Sequence, residues 1–526
     1  MYYPGCGLIR ISLSLLLICL FIDAHAQNIL ISNEHNPNEP SIIMDPLRPN
    51  VLVAASNLNN YYVSQDTGRT WEVKQLQSSF GVWGDPALAV DTAGAFYFFH
   101  LSNPQNGNWI DRIVCQKTTD GGSSWNDGSF TGLNGAKAQD KQWPVVDRTN
   151  NMIYLTWTQF DEYGSTDPAD SSIILFSKSA DEGLTWSSPK RINKIAGDCI
   201  DSDKTVEGAV PAVGPNGEVY VVWAGPNGLV FNRSLDQGES WLPEETPVDP
   251  MPGGWDHSVS GIYRANGLPV TMCDLSNGPY RGTLYVNWTD QRNGAADTDV
   301  WLIKSTNGGQ SWSTPVRVNE DASQRQQFFT WMTIDQSTGY LYFVFYDRRD
   351  HAGDSTDVFL AMSRDGGGTF INRRLSESPF LPNNNIFFGD YTNITAHNGI
   401  VRPIWTRLQN GQLSIWTHLT TAAELITSIP PHPLTDANPD FESYPNPTGQ
   451  YFFVSYKLHG PSKINLTLLD TRGKTIQHVL RNERKGYGKY IERIDLAKLN
   501  IPTGLYFLRL EINGQVKTLE QIVIEN

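Results

Sequence analysis

Carboxylates, arginines and tyrosines recur in this 526-residue chain at matched places beside apolar runs. One group precedes them: Glu39, Asp85, Gln142, Glu207, the pair Asp256-His257, and Asp390-Tyr391. A second group follows aromatic runs: Asp161-Glu162, Asp290-Gln291-Arg292, Tyr346 leading into Asp347-Arg348-Arg349-Asp350, and Arg407. Together these residue types suit a saccharide site. Carboxylates can act as acid and base in glycoside cleavage, and arginines can clamp a carboxylate or sulfate in bidentate fashion. Trp83, Trp143, Trp255 and Trp331 offer stacking faces. The candidate catalytic residues are Asp85, Glu207, Asp256, Tyr346, Asp390 and Tyr391, and the candidate substrate-binding residues are His257, Arg292, Arg348, Arg349 and Arg407. A structural role competes with this one. Asp290-x-Arg292 leads to Asp297 and Asp299, and Asp347 to Asp350 leads to Asp354 and Asp357. An internal Arg–Asp clamp that shapes a loop would give the same recurrence.

The elements that must position these residues are announced by Ser/Thr-x-Asp-x-Gly-x-Ser/Thr-Trp, which occurs in six versions. They are Ser64 to Trp71, Thr118 to Trp125, Ser179 to Trp186, Ser234 to Trp241, Ser305 to Trp312 and Ser363 to Phe370. Each follows an apolar run and reads as a hairpin turn. An Asp or Asn side chain bonds nearby backbone amides, and Gly supplies the positive φ. Asp66, Asp120, Asp181, Asp236, Asn307 and Asp365 are therefore structural. Asn307 can make the turn bond but cannot replace a carboxylate as a proton carrier.

Between the turns lie seven units of apolar strand, Asp-x-x-Gly or similar, and aromatic-rich strand, from Glu39-Pro40 to Asp390. About four short strands per unit is propeller spacing. The expected fold is all-β: a seven-bladed β-propeller, or six-bladed if two units merge, followed by a small C-terminal β-sandwich. The last unit lacks a fourth strand, which Asn28 to Ser32 would supply, removing the open sheet edges. The turns then mark one face of the ring. The first-strand starts and the loops after second strands converge on the other. Residues 1–26 read as a signal peptide, with Arg10, an apolar run over Ile11 to Ile22, and Ala24-His25-Ala26 as the cleavage pattern. The propeller spans 27–421, a proline-rich linker 422–440, and the C-terminal sandwich 441–526. No transmembrane segment is expected in the mature chain. The formal charge of -15 argues against nucleic-acid binding. Cys115, Cys199 and Cys273 read as small buried residues without metal-site spacing. Asp-rich loops offer oxygen ligands for calcium but no calcium-loop spacing, so no cofactor or metal is expected.

The turn motif resembles the Asp-box, or BNR repeat, of sialidase-like propellers. That resemblance implies a carboxylate clamp of three arginines, here Arg292, Arg349 and Arg407, and a tyrosine nucleophile, here Tyr346 or Tyr391. The family's Arg-Ile-Pro element is missing, since only Arg48 lies between Gln27 and Asn60. The C-terminal region resembles the type IX (Por) secretion sorting domain. The matching residues are Tyr444-Pro445-Asn446-Pro447-Thr448, Leu469-Asp470-Thr471-Arg472-Gly473, Pro502 to Arg509, Gly514 and Lys517. It implies export to the exterior or cell surface of a Gram-negative bacterium and contact with the type IX machinery. Two function classes stay open: a sialidase-like glycoside hydrolase acting on an extracellular glycan or glycoprotein, or a non-catalytic propeller binding carbohydrate or protein.

Overall fold

The computed structural model describes residues 28–427 and 441–524, apart from His459, Arg472, Ala497, Lys498, Asn500 and Gly514. The expected signal peptide and residues 428–440 of the expected linker lie outside these residues. The chain forms two compact units, divided after Ile426.

The first unit is all-β, apart from one short helix. Its described residues form six four-stranded antiparallel sheets in chain order, beginning with Ser41–Met44, Leu52–Ser56, Asn60–Ser64 and Glu72–Gln75. A further sheet pairs Asn393–His397, Ile400–Gln409 and Gln412–His418. Its next strand is Asn28–Ser32, with Asn28 opposite His418 and Leu30 opposite Trp416. The first strands of these sheets touch one another in succession, and Asn393–His397 packs on Ser41–Met44. They share one axial cavity, lined by Ile42, Ala89, Val145, Ala212, Met272, Thr333 and Ile394. Apolar strands buried on both faces explain the continuous runs such as Phe96–Leu101 and Tyr340–Asp347.

The six turns join third strands to fourth strands. In the last, Asp365 Oδ1 accepts from the amide of Thr369 at 2.9 Å and Oδ2 from its hydroxyl at 2.7 Å. Ser363 Oγ donates to Asp365 at 2.8 Å and accepts the Gly367 amide at 2.9 Å. Asn307 keeps the pattern by accepting the Ser311 amide at 3.0 Å and donating to its hydroxyl at 2.8 Å. Antiparallel order puts these turns at the same end as the first-to-second turns. Asn50, in one of those, donates to the Gln65 carbonyl at 3.0 Å.

At the opposite end the first strands start in a repeated backbone distortion. Glu39, Asp85, Lys141, Gly208 and Phe329 all have left-handed φ, between 50° and 73°. Each stands six residues before the residue that opens the next turn: Asp45, Asp91, Asp147, Gly214 and Asp335. In three sheets a register shift marks the spot, as between Asp140 and Trp143. A left-handed non-glycine residue costs about 1–3 kcal/mol, and such strain concentrates at functional sites.

The stretch expected to open the linker begins with a helix, Ala422–Thr427, capped reciprocally by Thr421 and Glu424. Ala422 and Leu425 are buried in the core of the first unit, so this stretch is packed rather than extended. The three cysteines are free and buried.

In the second unit Phe441–Tyr444, Tyr451–Leu458 and Gly488–Asp495 form one sheet. Thr475–Lys485, Ser462–Leu469, Gly504–Ile512 and Gln515–Ile524 form another. Phe452, Val454 and Tyr456 share one core with Ile464, Leu466 and Leu508. The alternation of these residues is the period-two signature of a half-buried strand. Phe441–Tyr444 and Gly488–Asp495 escape the sequence reading, the latter because charged residues interrupt its apolar pattern.

Candidate functional site

The left-handed starts project charged side chains toward one another. Lys141 Nζ lies 3.1 Å from Asp85 and 2.9 Å from Asp390. Arg264 donates from Nε to Asp390 Oδ1 at 3.0 Å and pairs with the second oxygen through Nη2. Its remaining nitrogen, Nη1, donates to Asp201 at 2.9 Å. Tyr163 donates its hydroxyl to the same Asp201 carboxylate at 2.6 Å. The Asp390 amide donates to Glu39 at 3.1 Å, and Asn57 bridges Glu39 to the Asp85 amide. Residues far apart in sequence are thus tied into one buried network.

Burial sets the proton affinities here. Burial drives Glu39 and Glu207 well above the usual carboxylate range, helped for Glu39 by Asp85 and Asp390 and for Glu207 by Asp201 and Asp140. Asp140 is pushed up to about 7 by burial, against the pull of Lys141. Asp390 is also buried, yet Lys141 and Arg264 outweigh that burial and hold it below its ordinary value. One network therefore contains carboxyls moved in opposite directions, as acid and base roles require.

Above the network opens a cleft of about 390 Å³, within the size of ligand sites. Asp85, Asp140, Lys141 and Arg264 line it together with Trp83, Trp109, Tyr163 and Phe387. Trp83 and Trp109 are 36% and 43% exposed, with rings 6.0 Å apart at 90°.

Of the sequence candidates, Asp85 and Asp390 join this network, and Glu207 is buried within electrostatic reach of it with its Oε1 unpartnered. Tyr391 lies beside it, packed on Trp143 and Trp331 with its hydroxyl unpartnered. Burial raises the Tyr391 and Tyr346 phenols well above their ordinary values, and Tyr346 donates to the Thr406 carbonyl at 2.7 Å. Neither is set up as a phenolate nucleophile. Asp256 is exposed, its amide bonded to Asp203 at 2.8 Å. His257 is buried, which depresses it to about 4, and neither ring nitrogen has a partner.

The arginines are engaged elsewhere. Arg292 folds back onto Asp290 at 2.9 Å, reaches Asp249 at 2.7 Å, and lies 4.4 Å over the Trp301 ring. Arg349 repeats this on Asp347 at 2.8 Å, 4.2 Å over Phe359. Arg348 is 1% exposed and bonded to Thr356, Gln326 and the Ser260 carbonyl. Arg407 binds Ser378. Their geometry is that of loop clamps. Trp143, Trp255 and Trp331 are buried, leaving Trp83 as the open face among the four proposed.

Sequence reasoning misses Lys141, Arg264, Asp140, Asp201, Trp109 and Tyr163. Lys141 had a signal: it stands six residues before Asp147, as Asp85 stands before Asp91. Arg264 belongs to an insertion outside the repeat and had none.

Residues 442–525 match the family model of the secretion system C-terminal sorting domain. The protein is secreted or held at the cell surface. No helix among the described residues is long and apolar enough to cross a membrane. No curated protein matches the chain. Among solved structures, the chain is similar to a protein of unknown function from Dyadobacter fermentans, with 13% identity, 64% of this chain and 96% of that one covered, and TM-score 0.42. It is similar to the NanB sialidase of Streptococcus pneumoniae at 8% identity, covering 70% and 83%, with TM-score 0.43. An ulvan lyase of polysaccharide lyase family PL25 gives 13% identity, 77% and 100% coverage, and TM-score 0.45. At such distances the chemistry rests on the site alone.

Proposed function

We propose that this secreted protein is a carbohydrate-binding propeller of seven blades, with Asn28–Ser32 completing the last blade and a C-terminal β-sandwich serving export. The observation that carries the binding role is the juxtaposition, in one cleft, of two exposed indole faces and a floor of carboxylates. Aromatic faces stack on the apolar face of a sugar ring, and carboxylates accept from its hydroxyls. The engaged arginines speak against a sialic-acid clamp. A hydrolytic reading draws support from Asp140, pushed up to about 7, and a depressed Asp390, both facing Lys141. A glycan array with the full chain tests the binding role. Binding that disappears in Trp83→Ala and persists in Arg292→Lys is expected. An array without signal, or signal indifferent to Trp83, overturns it.

A further inference from the structure

We propose that the cleft selects an ammonium-bearing saccharide, one whose amine is free rather than acylated. This rests on the carbohydrate reading above and adds the ligand's charge.

The walls come first. Trp83 and Trp109 meet at 90° with ring centres 6.0 Å apart, and Trp109 and Tyr163 at 84° and 5.7 Å. Three rings in successive right angles make a corner, and the face of an aromatic ring attracts a cation. They come from separate elements. Trp83 precedes the second sheet, Trp109 lies between its second and third strands, and Tyr163 follows the second strand of the third sheet. No single loop's packing needs explains their meeting.

The floor supplies the countercharge. Glu39, Asp85 and Asp140 line the cleft with Lys141 and Arg264, and Asp201, Glu207 and Asp390 act on the same two cations from outside the lining. Both cations are committed, Lys141 to Asp85 and Asp390 and Arg264 to Asp390 and Asp201. Glu207 is 1% exposed, yet its Oε1 has no partner. With Glu39 and Glu207 held protonated by burial and Asp140 pushed up to about 7, the three carboxyl groups of Asp85, Asp201 and Asp390 still outnumber the two cations paired with them. A neutral sugar leaves that excess, and an anionic one aggravates it. An ammonium group corrects it while meeting the open ring faces, and the sugar's hydroxyls use the remaining acceptors.

The test is calorimetric titration of the full chain with a glucosamine tetrasaccharide, its fully N-acetylated counterpart and tetralysine at one ionic strength. The amine form is expected to bind at least about tenfold more tightly than the acetylated form. Asp85→Asn, which keeps the shape, and Trp109→Ala, on the exposed rim, should each weaken it by about tenfold. Circular dichroism checks that both variants are folded. Equal affinity for the two sugars overturns the amine preference and leaves the carbohydrate reading standing. Binding of tetralysine with neither sugar bound overturns both. Unchanged affinity in the two folded variants moves the site out of this cleft and overturns the proposal.

Discussion

Lys141 is the residue on which the network turns. Its ammonium is shared by Asp85 and Asp390, and it projects from a backbone that is left-handed at φ 51°. Its neighbour Asp140 lies in the same burial but receives no ion-pair contact comparable to those, and so keeps its proton to about pH 7. The consequence for stability has a definite sign. Between the ordinary carboxylate value near 3.8 and about 7, the unfolded chain has released this proton and the folded chain retains it. Stability contributed by Asp140 therefore falls as pH rises through that window and levels off above it. Asn does not titrate. Asp140→Asn should gain on the parent between pH 4.5 and 8, by on the order of 2–4 kcal/mol. Urea unfolding of both proteins across that range measures it. A stability difference independent of pH would mean that Asp140 is ionised throughout.

The strand elements divide into two kinds of end, and the sequence announces them unequally. The six turns are readable because every bond they need is local. Ser363, Asp365, Gly367 and Thr369 satisfy one another within a few residues, so the motif is written contiguously. The strand starts at the other end have no such grammar. Glu39, Asp85 and Lys141 share a backbone conformation and a spacing, not a residue type, and their partners sit in other sheets. The polar character of those starts can be read, and it places Asp85, Glu207 and Asp390 near the site. Which cations meet them cannot, because Arg264 comes from an insertion and its partners Asp201 and Asp390 are 63 and 126 residues away. The arginines mislead for the same reason: a clamp and a binding site use the same residues, and only the geometry of Arg292 on Asp290 tells them apart. The turn itself supplies a test at this scale. Asp365→Ala removes acceptors for two amides and two hydroxyls, and should cost about 1–2 kcal/mol. Asp365→Asn should cost far less, since Asn307 makes the same turn with an amide. Denaturant midpoints of the two variants separate the outcomes, and equal losses would show that the turn depends on charge.

At the scale of the whole first unit, the question is how a chain of successive sheets avoids ending in two open edges. The sheet that contains Ile400–Gln409 takes Asn28–Ser32 as a strand, so the two extremities of the unit are held by the same hydrogen-bond ladder. Side chains reinforce the ladder. Asn28 donates its amide to Glu377 at 3.1 Å, and Ile31 is buried with Ile42, Tyr62, Ile404 and Ile415, which belong to both neighbouring sheets. Such a closure is worth more than its five residues, because every sheet interface around the circuit depends on its neighbours staying in place. Removing the strand does two separable things. It exposes the apolar surface around Ile415, which lowers stability, and it leaves Gln412–His418 with unpaired backbone groups, which invite pairing with another molecule. A chain lacking residues 28–32 should therefore unfold at lower temperature and also associate with rising concentration. Ile31→Ala keeps the backbone ladder, so it should lose about 2–4 kcal/mol of stability without associating. Calorimetry and size-exclusion chromatography on the two variants read these effects independently. A truncated protein that stays monomeric and melts with the parent would show that the circuit holds without its clasp.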